Sequence, residues 1–311
     1  MRQFDRCGWA LVLGLFVIAG AAIGCSSTES ESGSPDSSDL PVLDAGIIAQ
    51  ADPRTVPQPL AAYTFNAAQR DVLDRATLIT ANRCMEQYGF APQRTWRRPP
   101  INELWARYGL WDPTSATTGY LSPEELEISS AGMASYLPFV GEAQVVYFGQ
   151  VPQYGGVEVP PGGCQAQVNA AVWEVEGVTD LRGFVSELYE EARERSRQDP
   201  RVQSLLEAWR TCMNEKGWDY EDVWSPFEYW SQPPRRGTER HVTLASISAD
   251  EKASAKDDVA CKHSTGLLGT WLAADIAYQQ LIVERESQRL AEWSEDMAAI
   301  LANANEIIAN G

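Results

Sequence analysis

Histidine and lysine are scarce in this chain: His241 and His263 are its two imidazoles, and Lys216, Lys252, Lys256 and Lys262 its four ammonium groups. The histidines lie far apart, with no Gly-x-Ser-x-Gly or His-x-x-Glu-His pattern, so the local signatures of serine-hydrolase and zinc-protease chemistry are missing. His263 stands two residues beyond Cys261 and reads as a local structural group. No Cys-x-x-Cys spacing offers a zinc or redox motif. No phosphate-cradling glycine loop occurs, and Pro161-Gly162-Gly163 reads as a turn into Cys164. The carboxylates Glu124/Glu125 and Glu190/Glu191 are adjacent on presumed helices and point apart, unlike the facing acid and base of a glycosidase. The acidic run Asp250 to Asp258 is interrupted by Lys252 and Lys256 and reads as a solvated face rather than a calcium loop. No catalytic residue, metal ligand or cofactor is assigned, and a non-enzymatic protein is expected.

Acidic residues are plentiful. The formal charge is −18, or −19 without a leader that carries Arg2, Arg6 and Asp5. Such a chain is repelled by nucleic acid, which is not expected as a partner, and by anionic lipid or wall polymers, unless a basic patch reverses the field. Two arginine clusters, Arg94/Arg97/Arg98 and Arg235/Arg236/Arg240, sit in Pro-rich loops beside Trp96 and Trp230 and read as solvated loop charge over packed aromatic stems. Arginine outnumbers lysine 21 to 4, a balance typical of GC-rich genes.

Residues 1–24 resemble a bacterial lipoprotein signal peptide: Arg2 and Arg6, then an apolar run from Gly8 to Ile23, then Ala22-Ile23-Gly24-Cys25. The resemblance implies lipidation of the Cys25 thiol, which anchors the protein to the extracytoplasmic face of the cell membrane. Ala22 stands where such signals usually carry leucine. The alternative is an uncleaved anchor, since Cys7 to Gly24 approaches the length that spans a bilayer. Residues 25–60 are rich in Ser, Asp, Glu, Gly and Pro, with little apolar surface to offset the entropy of ordering, and read as a disordered tether. Its islets Leu40 to Leu43 and Ala45 to Ala49 offer a docked strand or helical turn as the alternative.

The body is expected to be mainly α: an irregular helical domain with long aromatic-rich loops, two disulfides and a long C-terminal helix, in halves 61–178 and 179–311. With Cys7 in the leader and Cys25 lipidated, Cys84, Cys164, Cys212 and Cys261 remain, an even number in an oxidising compartment, with three possible pairings. An internal echo favours one of them. Cys84-Met85, three residues, Gly89 and Phe90 match Cys212-Met213, three residues, Gly217 and Trp218, each closing a helical pattern on a glycine stop. Both cysteines then sit in last helical turns, ready to staple Cys84 to Cys164 and Cys212 to Cys261, one bridge per half.

Asp180 is placed to cap a helix from Leu181 to Arg197. Ser122-Pro123-Glu124-Glu125 and the capping box Ser248-Ala249-Asp250-Glu251 are helix starts. From Leu267 to about Ala309 no proline interrupts a helical apolar pattern, which predicts one helix of some 40 residues. Val145 to Phe148 and Gly156 to Val159 read as short strands. Core packing is the commoner fate of aromatic residues, but Trp105, Trp111, Trp224 and Trp230 are candidates for a ligand groove.

The two Cys-Met-x3-Gly-aromatic units, the Gly162-Gly163-Cys164 turn, and Asp258 to Leu267 followed by Trp271, Gln279 and Leu281-Ile282-Val283-Glu284 resemble a group of actinobacterial extracytoplasmic lipoproteins without an assigned activity. The resemblance implies an envelope accessory role, in a group whose genes tend to lie near transport genes, and supplies no catalytic residue. The expected function is therefore a lipid-anchored protein that docks on an envelope or transporter partner through its long helix or acidic face. The alternative is a module that binds a wall glycan, peptide or small apolar ligand in an aromatic groove, and an extracytoplasmic hydrolase comes last.

Overall fold

A computed structural model describes residues 40–95, 103–121, 138–178, 183–232 and 247–311. The elements in chain order are α1 (Ala45–Gln50), α2 (Ala67–Glu86), α3 (Glu103–Tyr108), α4 (Glu142–Tyr147), the hairpin β1 (Gln153–Tyr154) and β2 (Val157–Glu158), α5 (Gly163–Val168), α6 (Phe184–Gln198), α7 (Pro200–Glu215), α8 (Ser225–Ser231), α9 (Ala249–Ser264), α10 (Leu267–Arg285) and α11 (Ser287–Ala309). Strands β1 and β2 pair antiparallel, Tyr154 opposite Val157. The mainly helical class holds, and no described helix is long and apolar enough to cross a membrane.

Helix α10 is the centre. It is apolar on nearly all sides, with Leu268, Trp271, Leu272, Ala274, Ile276 and Ile282 all buried, as a helix enclosed by others must be. It packs against α6, α7, α9 and α1. Gly269 permits the closest of these approaches, because a Cβ there would collide with the Ile48 carbonyl oxygen of α1. That contact shortens the tether expected over 25–60. The compact unit starts at Pro41, whose carbonyl accepts from Arg201, and Val56 and Leu60 are buried. Of the apolar islets, Leu43 and Ile47 are partly buried against the core, while Val42 is exposed. The unit from Pro41 to Gly311 is also undivided: α2 of the expected first half packs along α11 of the second.

Both cysteine echoes are structural. Phe90 N–H donates to Met85 O and Gly89 N–H to Glu86 O. Trp218 N–H donates to Met213 O and Gly217 N–H to Asn214 O. Each pair is a Schellman ending with its glycine at positive φ, 80° and 90°. The bridges are Cys84–Cys164, joining α2 to α5, and Cys212–Cys261, joining α7 to α9.

Three local expectations are corrected. The 40-residue helix is broken at Glu286 (φ −97°, ψ 14°), so that α10 stays in the centre while α11 lays Leu290, Met297, Ile300 and Ala304 inward. No proline or glycine marks that break. Instead the Glu286 carboxylate sits between Arg285 and Arg289. Val145 to Tyr147 is helical rather than strand, with Val146 and Tyr147 buried: packing overrides the β-branched preference. Helix α6 begins at Phe184, three residues later than expected, and Asp180 and Ser122 to Glu125 lie outside the described residues.

The acidic run on α9 is not a solvated face. Glu251, Ser254, Asp258 and Lys262 are buried on one side of the helix, at spacings of three and four. Aromatic loops meet that side with donors: Tyr120 N–H to Glu251 Oε1, Tyr220 and Tyr120 hydroxyls against Ser254 Oγ, and Trp209 Nε1 to Asp258 Oδ1. Ser248 Oγ accepts from Glu251 N–H, while the Glu251 carboxylate serves Tyr120. Lys262 Nζ is held by Asp258 at 3.1 Å and by the Leu110 carbonyl at 2.6 Å. Burial pushes Asp258 up and Lys262 down, and each opposes the other's shift.

The bridges enclose chain separations of 80 and 49 residues, so the loss of either should cost about 4 kcal/mol through the freer unfolded chain. Cys84→Ser/Cys164→Ser and Cys212→Ser/Cys261→Ser should each lower the midpoint of urea unfolding, with a slope that is retained or steepened as the freed unfolded chain exposes more surface. An unchanged midpoint in either pair would show that its bridge is dispensable.

Candidate functional site

The four sequence-predicted tryptophans do not meet in one groove. Trp111 is buried in the main core, with the Arg54 guanidinium 4.8 Å from its ring centroid. Trp230 belongs to a smaller cluster with Leu110, Tyr120 and Val259 and donates from Nε1 to Tyr220 Oη. Trp224 is half-buried and packs edge-on against Trp271, with centroids 5.8 Å apart. Trp105 is on α3, and its side chain lies outside the described residues, as do Cys25, His241, Arg97, Arg98, Arg235, Arg236 and Arg240. The rings of Trp111 and Trp230 are core for the ordinary reason that large apolar surface is removed from water.

A different aromatic cleft is present. It has a volume of about 810 Å³ and collects side chains from five separate segments: Tyr63, Thr64 and Phe65 before α2, Arg107 on α3, Asn169 and Trp173 after α5, Ser186, Tyr189, Glu190 and Arg193 on α6, and Trp293 on α11. The size is that of a small-ligand site.

Each wall has a local cause. Pro59 opens a 3-10 turn ending at Tyr63, and Asn66 then caps α2 in a reciprocal box with Gln69. Between these two stops the chain is extended, which leaves Tyr63 and Phe65 at the cleft. Trp293 Nε1 fixes the Tyr63 carbonyl at 2.9 Å, and Arg70 fixes that of Phe65 at 2.5 Å. After α5 the helix widens into a π turn, Asn169–Trp173, held to α11 by Asn303 Nδ2 donating to Ala171 O and Val172 O. Phe65 is then wedged edge-on between Trp173 (6.1 Å) and Trp293 (6.3 Å). The α6 wall comes from positions 186, 189, 190 and 193, spaced so that they share one helical face.

At the back stands Arg107. Its Nη1 donates to Asp275 Oδ2 at 2.7 Å and to Gln58 Oε1 at 3.4 Å, and its guanidinium carbon lies 4.9 Å from the Tyr189 ring centroid. Tyr108 Oη donates to the same Asp275 oxygen at 2.5 Å. Burial works against the Arg107 charge, but Asp275 more than offsets it and holds the guanidinium protonated. Burial and the same carboxylate push the Tyr108 phenol far up, so it remains a donor. Arg193 is paired with Glu190 at 2.5 Å. The cleft thus offers aromatic rings, neutral hydrogen-bonding groups, two arginines paired with carboxylates, and the exposed Arg70, which is held by the Phe65 carbonyl.

His263 Nε2 lies 3.3 Å from the Trp111 carbonyl, the local structural role expected of it. Glu190 and Glu191 point apart, to Arg193 and to Arg195 with Arg285 respectively. Among the described residues no three His, Cys, Asp or Glu side chains gather as a metal site.

Asp275→Ala would strand a buried guanidinium, and the cost expected is about 3–5 kcal/mol, read as a lower urea midpoint. Arg107→Met/Asp275→Leu should recover a good part of it. A single variant as stable as the parent would show that the pair does not hold the cleft's back wall.

No protein-family model, no curated protein and no solved structure matches this chain.

Proposed function

We propose that this protein is a lipid-tethered, extracytoplasmic, non-enzymatic binding module, anchored to the cell membrane through Cys25, that holds a neutral stretch of wall glycan in the cleft between α6 and the Tyr63–Phe65 segment. The observation that carries the reading is the composition of that cleft. Phe65, Trp173, Tyr189 and Trp293 supply apolar faces, and Thr64, Asn169 and Ser186 supply hydrogen-bonding groups beside them. Sugar rings present the same alternation of C–H faces and hydroxyls. Arg107 and Arg193 already have carboxylate partners, so an uncharged ligand loses little by not matching them. Tyr108, Tyr120, Asp258 and Lys262, whose proton affinities burial shifts, lie in the core, which favours binding over chemistry.

Docking on an envelope or transporter partner is the second reading, favoured by the excess of 43 acidic over 25 basic residues. Of the two faces considered for it, the acidic surface remains available. The apolar stripe of α11 is spent on α2.

Titration of the delipidated protein with soluble β-1,4-linked N-acetylglucosamine oligomers should give a saturable change in tryptophan fluorescence. Trp173→Ala should weaken binding at least tenfold, which corresponds to about 1.4 kcal/mol, with the circular dichroism spectrum unchanged. No saturable signal, or equal affinity in the variant, would overturn the glycan reading. A partner captured by crosslinking in intact membranes, and lost when surface carboxylates are neutralised, would put docking in its place.

A further inference from the structure

A second pocket, of about 500 Å³, lies against the outer face of α9, away from the cleft described above. Its floor is apolar: Pro113 and Ala116 on one side, Val259 and Ala260 on the other. Its polar rim includes Lys252, Lys256 and His263, and no carboxylate lines it. In a chain with 43 acidic residues, two of the four lysines therefore share one small concavity.

The lysines are unusual in a second respect. Arg193, Arg195, Arg197, Arg210 and Arg289 each have a carboxylate three or four residues away on their own helix. Lys252 and Lys256 do not. The residues three and four positions from Lys252 are Ser248, Ala249, Ala255 and Lys256 itself, and those around Lys256 are Lys252, Ala253, Val259 and Ala260. Among the described residues neither lysine forms an ion pair. Two like charges at this spacing repel and destabilise a helix slightly, and an anion lodged between them turns that repulsion into attraction.

We propose that this pocket is a binding site for a small amphiphilic monoanion, a carboxylate on an apolar body. The carboxylate sits between Lys252 and Lys256, and the apolar body lies on Ala116, Val259 and Ala260. The rim has two ammonium point charges, which meet a carboxylate without the fixed bidentate geometry that a guanidinium fork imposes. The lysine stems extend the apolar floor while their charged ends stay at the rim.

Three probes with one apolar tail separate the contributions: octanoate, octan-1-ol and octyltrimethylammonium, each titrated calorimetrically below its aggregation concentration. Octanoate should bind with a stoichiometry of one and at least tenfold more tightly than octanol, and the cationic probe should not bind. Lys252→Gln/Lys256→Gln should bring octanoate down to the level of octanol. Ala260→Trp, on the exposed side of α9, should fill the pocket and abolish both, with an unchanged circular dichroism spectrum as the control for folding. Equal binding of octanoate and octanol to the parent, octanoate binding that survives the double substitution, or no binding of octanoate at all would overturn the proposal. None of these residues lines the aromatic cleft, so the outcome is independent of the glycan reading.

Discussion

A single carboxylate, fully buried in the central helix, connects the core of this protein to its surface. Asp275 is enclosed by apolar neighbours along α10, where an unpaired charge would be prohibitively expensive, and it is tolerated because Arg107 and Tyr108 both donate to it. Gln279, one turn further on, accepts the Leu60 N–H and donates to Gln58 Oε1. Two polar side chains four residues apart therefore fix α3 and the segment entering α2. The cleft depends on this arrangement together with the burial of Leu60 and the bond from Trp293 to the Tyr63 carbonyl. A buried ion pair contributes little net stability compared with well-packed apolar residues. What it supplies here is one orientation of two short elements, α3 and the 3-10 turn Pro59–Tyr63.

Helix α9 follows the same logic on a second face. Glu251, Ser254, Asp258 and Lys262 form a polar stripe buried against loops rich in Tyr and Trp, whose hydroxyl and indole N–H groups need acceptors once they leave water. That stripe explains why sequence periodicity misled here. An amphipathic reading assigns charged residues to solvent, whereas on α9 the inward face is the polar one. The aromatic residues that satisfy it come from positions as distant as Tyr120 and Tyr220, and nothing local in the sequence reports that pairing.

The parts of the fold that were legible in the sequence are those with a local or covalent cause. The repeated Cys-Met-x3-Gly-aromatic unit encodes a helix end, a left-handed glycine and a cysteine one turn back within seven residues, whereas the bridge partners Cys164 and Cys261 lie 80 and 49 residues further along the chain. The helical class followed from apolar spacing and from the missing proline after Leu267. The break at Glu286 left no such mark, because it answers to where α2 lies rather than to any residue in the turn. The cleft was illegible for the same reason. Tyr189 and Trp293 sit on helix stripes that read as core, and Trp173 is set by a π turn whose anchor, Asn303, is 130 residues away in the chain. Composition suggested an aromatic groove, but it could not choose among eleven tryptophans.

Charge separates the two concavities. Around the cleft, Arg107 and Arg193 are matched by Asp275 and Glu190 and Arg70 is turned onto the Phe65 carbonyl, so a ligand there meets mainly fixed dipoles and ring faces. Around the α9 pocket the lysines are unmatched, and the surrounding acidic surface changes how that matters. An excess of negative charge over the whole molecule slows the approach of any anion, but at physiological salt the field of distant carboxylates is screened within about 8 Å. Inside that range the two ammonium groups dominate. An acidic protein can in this way remain soluble and repel anionic polymers while it keeps one short-range site of opposite sign. The scarcity of lysine gives that site its contrast: two of the four lysines, neither in an ion pair among the described residues, stand together where an apolar floor lies beneath them.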